Sequence, residues 1–141
     1  MSYFGTALAG LLLTNLSWAN STRIIWNGNG HHYQRIDEAK VSWAAARHKC
    51  ENLNNGYLAT ITSGEEQNFV ASNFLLPSNS DLQGYHIGGT KESNKWKWVT
   101  GEKWNYTSWW KGHPFDVGTH LSIYNDSYWL DKDISKNIDG Y

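Results

Sequence analysis

The chain has 141 residues, enough for one domain with a substantial core, and no long polar linker divides it. Twelve Lys and Arg against thirteen Asp and Glu give a formal net charge of -1, so neither nucleic acid nor an anionic membrane surface has an electrostatic claim on it. Nine Trp and eight Tyr are many for this length, and they concentrate after residue 85. Such rings fill irregular cores or form stacking and protein-binding surfaces, and burial is the commoner fate.

Residues 1–19 have an apolar centre from Phe4 to Leu13 and a small-x-small close at Ser17-Trp18-Ala19. That is the outline of a signal peptide cleaved after Ala19, although no Lys or Arg precedes the apolar centre. Broken by Thr14 and Asn15, it is too short to span a bilayer, so no membrane insertion is expected. Residues 20–141 would then form an exported domain, extracellular or periplasmic.

Asn27-Gly28-Asn29-Gly30 predicts a turn, and His32 to Ile36 alternates as a strand does. Ser42 is placed to cap a helix in which Trp43, Ala46, Cys50 and Leu53 recur at steps of three and four, forming one apolar stripe. Asn54-Asn55-Gly56 ends it, and Tyr57 to Ile61 predicts a short strand. Ser63-Gly64-Glu65-Glu66 is a capping box that opens a second helix through about Leu75, which Pro77 would stop.

Beyond Pro77 short strands alternate with loops. Tyr85 to Gly89 and Trp96 to Val99 predict strands. His120 to Tyr124 and Tyr128 to Asp131 predict a hairpin turning at Asn125-Asp126-Ser127. Gly101 to Thr119 is a long connection, of a length that is usually functional or disordered. The class is α+β. Cys50 is the only cysteine, so no disulfide forms within the chain; it either lacks a partner or is a buried inert thiol.

Several segments, taken in order, resemble the C-type lectin family. Ser42-Trp43-Ala-Ala-Ala-Arg-His-Lys-Cys50 is similar to its first helix, and Gly56-Tyr-Leu-Ala-Thr-Ile-Thr-Ser63 to the strand and cap that enter the second. Tyr85-His86-Ile-Gly-Gly89 resembles the family's Trp-Ile-Gly-Leu motif, with His86 in place of Trp. Trp96-Lys-Trp-Val-Thr-Gly-Glu102 and Tyr106-Thr-Ser-Trp109 lead into the ligand loop. The resemblance runs from about Asn27 to Tyr141. It implies a C-type lectin-like fold of two helices, small antiparallel sheets and a long loop region. It also implies a closing strand that this chain stops short of, carrying the cysteine that would pair with Cys50.

In the family, Glu-Pro-Asn, a carboxylate downstream and Trp-Asn-Asp hold calcium. The corresponding places here are His113 and Phe115 around Pro114, then Gly118-Thr119, then Leu130 and Asp131. Only Asp131 is carried over as a calcium-ligand position, and one carboxylate cannot supply the six to eight oxygens of a Ca²⁺ shell. No cofactor is expected, and a calcium site would be depleted. Pro114 keeps the possibility of the cis peptide found in the family's loop.

His113, Asp116 and His120, with Asp131 nearby, are residue types that suit Zn²⁺ or Ni²⁺, although loop residues of this kind are usually just solvated. His31 and His32 are adjacent and in a strand would point to opposite faces, which argues against a ligand pair. Asn20, Asn105 and Asn125 each begin an Asn-x-Ser/Thr sequon. No nucleophile with a base, phosphate loop or paired carboxylates in an apolar run is present, so an enzyme is not expected. The expectation is a secreted, non-catalytic recognition module, with Trp109, Trp110, His113, Asp116 and Asp131 as ligand-binding candidates. Its ligand would be a carbohydrate, which the resemblance implies, bound without the usual calcium site. The alternatives are a protein ligand, favoured by the lost calcium ligands, or a degenerate copy without binding activity.

Overall fold

The computed structural model describes residues 21–75, 84–133 and 137–141. The expected leader at 1–19, the Asn20 sequon and the stop at Pro77 lie outside these residues. Strands β1 (Ile24–Ile25) and β2 (His32–Tyr33) pair across the turn at Asn27–Gly30, so the strand expected through Ile36 is shorter. β3 (Asp37–Ser42) runs into helix α1 (Trp43–Glu51), whose cap is Ser42: its hydroxyl accepts from Ala45 N at 3.2 Å. Trp43, Ala46 and Cys50 form the buried face. Leu53 does not continue it; the helix ends at Glu51, the chain reverses through Asn55 at φ 56°, and Leu53 is 56% exposed.

Residues 57–61 were expected to be a strand and are not one. Leu58 and Ile61 are buried, but the segment meets the sheet through Gly88 N donating to Ala59 O at 2.7 Å rather than through a ladder. A Cβ on Gly88 would come within 2.6 Å of Leu58 O, so only glycine allows that approach. Helix α2 (Gly64–Phe74) is capped by Ser63, whose Oγ accepts from Glu66 N at 3.1 Å. Glu66 does not close the box on Ser63; its Oε2 accepts from Thr62 N at 2.6 Å instead.

β4 (Gly84–Glu92), β5 (Lys95–Trp98), β6 (His120–Tyr124) and β7 (Trp129–Lys132) form an antiparallel sheet in the order β5-β4-β6-β7. β8 (Asn137–Gly140) pairs antiparallel with β3, and Ile36 and Tyr141 exchange both backbone hydrogen bonds. The larger core cluster joins Tyr33, Val70, Phe74, Ile87, Leu121 and Trp129, while a smaller one gathers Val41, Trp43, Ala46, Cys50 and Leu58. Burial pushes the free Cys50 thiol up to about 11, which makes it an inert core group.

His86, standing where the resembling motif has Trp, is 1% exposed. Its Nε2–H donates to Val41 O at 3.0 Å and its Nδ1 faces Ser122 Oγ at 3.4 Å, an arrangement for the neutral ring. Burial lowers its pKa to about 4, against the opposing effect of the Val41 carbonyl.

Candidate functional site

Trp129, fully buried at the start of β7, organises the loop side of the molecule. Its indole N–H donates to Gln67 Oε1 of α2 at 2.9 Å, and Trp98, Trp104, Tyr106 and Trp109 stand around its ring with centroids 5.6 to 6.0 Å away. Its backbone fixes where the long loop begins: Trp129 N donates to Ser108 O at 2.8 Å and Trp110 N donates to Trp129 O at 2.9 Å. The two candidate tryptophans consequently part company. Trp109, one of the ligand-binding candidates, is half-buried in this aromatic cluster and also packs on Trp96 at 5.1 Å. Trp110 is 43% exposed and meets the 45% exposed Tyr128 edge-on at 5.1 Å.

The loop apex turns through a cis His113–Pro114 peptide and is held from both sides. On one side, Asp131 Oδ1 accepts from His113 Nδ1 at 2.5 Å and from Phe115 N at 2.8 Å. On the other, the Lys91 ammonium from β4 donates to Asp116 O at 2.9 Å and to Phe115 O at 3.3 Å. Asp131 is buried, and its Oδ2 has no hydrogen-bond partner. A Cβ on Gly118 would lie 1.8 Å from that oxygen, so glycine is what lets the chain pass beside the carboxylate.

Carboxylates are few at the calcium-ligand positions that the resemblance implies. Of the positions that carry ligands in the resembling family, Asp131 alone has a carboxylate, and one of its two oxygens is already committed to the loop. Nor does the expected transition-metal set converge. His113 is spent on Asp131, and Asp116 is exposed with only its carbonyl engaged. His120 is buried against Trp43, ring centroids 4.2 Å apart, with its Nδ1 2.9 Å from Thr119 Oγ1. Among the described residues no group of three or more His, Cys, Asp or Glu is gathered so as to hold a metal ion. His31 and His32 also diverge: His31 meets Tyr57 OH at 3.2 Å while His32 is exposed.

The structure adds residues that the sequence did not single out. Tyr128 was read as the first residue of a strand, yet it closes the hairpin turn with its ring outside. Asp126, exposed in the same turn, caps Tyr128 N at 3.2 Å. Lys91 acts on carbonyls 24 and 25 residues away, which no local pattern reveals. Of the two described sequons, Asn105 is exposed and Asn125 half-buried.

Comparison with known proteins gives the family. Residues 39–137 match the lectin C-type domain. Lithostathine from Rattus norvegicus is 37% identical over 79 residues, covering 55% of this chain and 47% of that protein. Snaclec B9 from Macrovipera lebetinus is 32% identical over 109 residues, covering 75% of this chain and 72% of that protein. The match spans about half the length of the lithostathines. The solved structure of human lithostathine superposes with a TM-score of 0.70 at 25% identity, covering 84% of this chain and 92% of that one. Among the described residues no helix is long and apolar enough to cross a membrane. Loop, hairpin and helix pair are thus those of a known scaffold, and the chain belongs to the C-type lectin domain family.

Proposed function

We propose that this protein is an exported, non-catalytic carbohydrate-recognition module whose ligand loop is held by the protein's own charges instead of by calcium. The observation that carries this reading is the state of Asp131. Its carboxylate ties His113 and Phe115 into place from inside the domain, with a side chain that is 0% exposed. A preorganised loop needs no ion to order it before a ligand arrives. Export is supported by the leader outline at 1–19, and a carbohydrate ligand by membership of a lectin family.

Binding to an array of immobilised glycans, with and without EDTA, tests the reading. Glycan binding that is insensitive to the chelator is expected. Binding abolished by EDTA and restored by calcium would overturn the calcium-free loop. Folded protein with no glycan signal would overturn the carbohydrate assignment and move the function to a protein partner, a reading that the exposed Phe115 and Val117 side chains favour.

A further inference from the structure

We infer that Trp110, Tyr128 and Asp126 form a binding site for a neutral pyranose ring, set on the β6–β7 hairpin tip and the start of the loop and not at the 113–131 position. This deepens the recognition function proposed above and rests on it.

Geometry favours a sugar ring at this corner. The two exposed rings meet edge to face, 74° apart with centroids 5.1 Å from each other, so they present two differently oriented aromatic surfaces side by side. A pyranose has an apolar face of C–H bonds and a rim of hydroxyls, so one ring can take the face while the other meets the edge.

The backbone that carries both rings is also fixed before any ligand arrives. Trp110 N is bonded to Trp129 O at 2.9 Å, and Tyr124 N is bonded to Tyr128 O at 3.0 Å. Little backbone ordering is therefore left to oppose binding. Asp126 uses Oδ1 to cap Tyr128 N and is exposed, which leaves its second oxygen to accept from a hydroxyl. A carboxylate beside the corner repels anionic sugars and selects neutral ones. At the apex, by contrast, Asp131 turns its carboxylate inward onto His113 and Phe115.

The experiment is saturation-transfer NMR on the full chain with methyl β-D-galactopyranoside and methyl β-D-glucopyranoside, with and without EDTA. At least one glycoside is expected to receive transfer at ring C–H protons, regardless of EDTA. Trp110→Ala and Tyr128→Ala are each expected to weaken it about tenfold, and Asp126→Asn about threefold, as losses of a stacked ring and of one exposed hydrogen bond. Leu53→Ser, at an exposed residue of the α1 end, is expected to bind as the parent does. Transfer that survives both ring substitutions and EDTA would overturn the corner but leave the calcium-free function standing. Transfer lost with EDTA alone would overturn both, whereas its absence for both glycosides in the parent protein would overturn the corner and leave the function to the glycan array.

Discussion

Glu66 and Asp131 are both buried carboxylates of this domain, and they are treated differently. Glu66, 1% exposed, receives four donors: Tyr33 OH and Asn29 Nδ2 on one oxygen, Thr62 N and Thr62 Oγ1 on the other. Asp131, 4% exposed, receives two donors on one oxygen and none on the other. Each joins distant segments, Glu66 tying the β1–β2 hairpin to α2 and Asp131 tying the loop apex to β7. A fully satisfied buried carboxylate stabilises a fold, whereas a half-satisfied one gives up stability for position. The contrast separates scaffold from recognition loop.

The largest expected effect breaks the scaffold side. Glu66→Ala leaves the Tyr33 hydroxyl and Thr62 N–H without their acceptor inside the protein. At about 1–3 kcal/mol per orphaned buried group, the loss should reach about 4 kcal/mol in urea unfolding. A loss below about 1 kcal/mol would mean that water replaces the carboxylate and that the two acids are more alike than their partners suggest.

Acid should act next, and on the core. The folded-state pKa of His86 lies at about 4, below its ordinary value, because burial disfavours the imidazolium. Between pH 6.5 and 4 the unfolded chain binds a proton that the folded chain refuses, so stability is full above that window and falls through it as pH drops. The fall amounts to about 3 kcal/mol for His86, and burial shifts His120 the same way. His86→Leu should flatten this acid limb whatever it does to stability at neutral pH. An unchanged limb would place the acid-sensitive group elsewhere.

Asp131→Asn sharpens the other side. The amide keeps an oxygen for Phe115 N and removes a buried charge that has no partner on Oδ2, so a net change of about 1 kcal/mol or less is expected in the same urea titration. A loss equal to that of Glu66→Ala would contradict the division between scaffold and loop.

Much of the scaffold is legible because its causes are local. Ser42 and Ser63 cap their helices as the sequence predicts, and the Asn125–Ser127 turn joins the expected strands. Leu53 fits the helical spacing but falls past the end of α1, since Asn55 and Gly56 turn the chain first. Residues 57–61 have a strand's composition and lose the ladder because Gly88 offers a single close approach. The loop was legible in its positions and not in its contacts. Asp131 stood out at a ligand position, while its bond to His113 spans 18 residues and the grip of Lys91 spans 25. Trp109 and Trp110 are equal in sequence, and only their tertiary contacts tell them apart, Trp109 packing on Trp96 and Trp129 while Trp110 meets Tyr128 at the surface.

The smallest expected change in stability belongs to Lys91, where the comparison is tested most finely. Its ammonium lies 5.8 Å from the Trp96 ring and reaches two carbonyls of the apex, in a partly solvated setting where such contacts contribute little to global stability. Lys91→Met should therefore cost about 0.5 kcal/mol in urea unfolding. Hydrogen exchange at the Phe115 amide, which donates to Asp131 Oδ1, should nevertheless quicken about tenfold, since a local opening that loses about 1.4 kcal/mol of restraint is populated ten times more. EDTA should leave that exchange unchanged in both proteins. If Lys91→Met leaves the exchange at its parent rate, Asp131 alone sets the apex. The loop would then be positioned from one side, by an acid whose second oxygen has no partner.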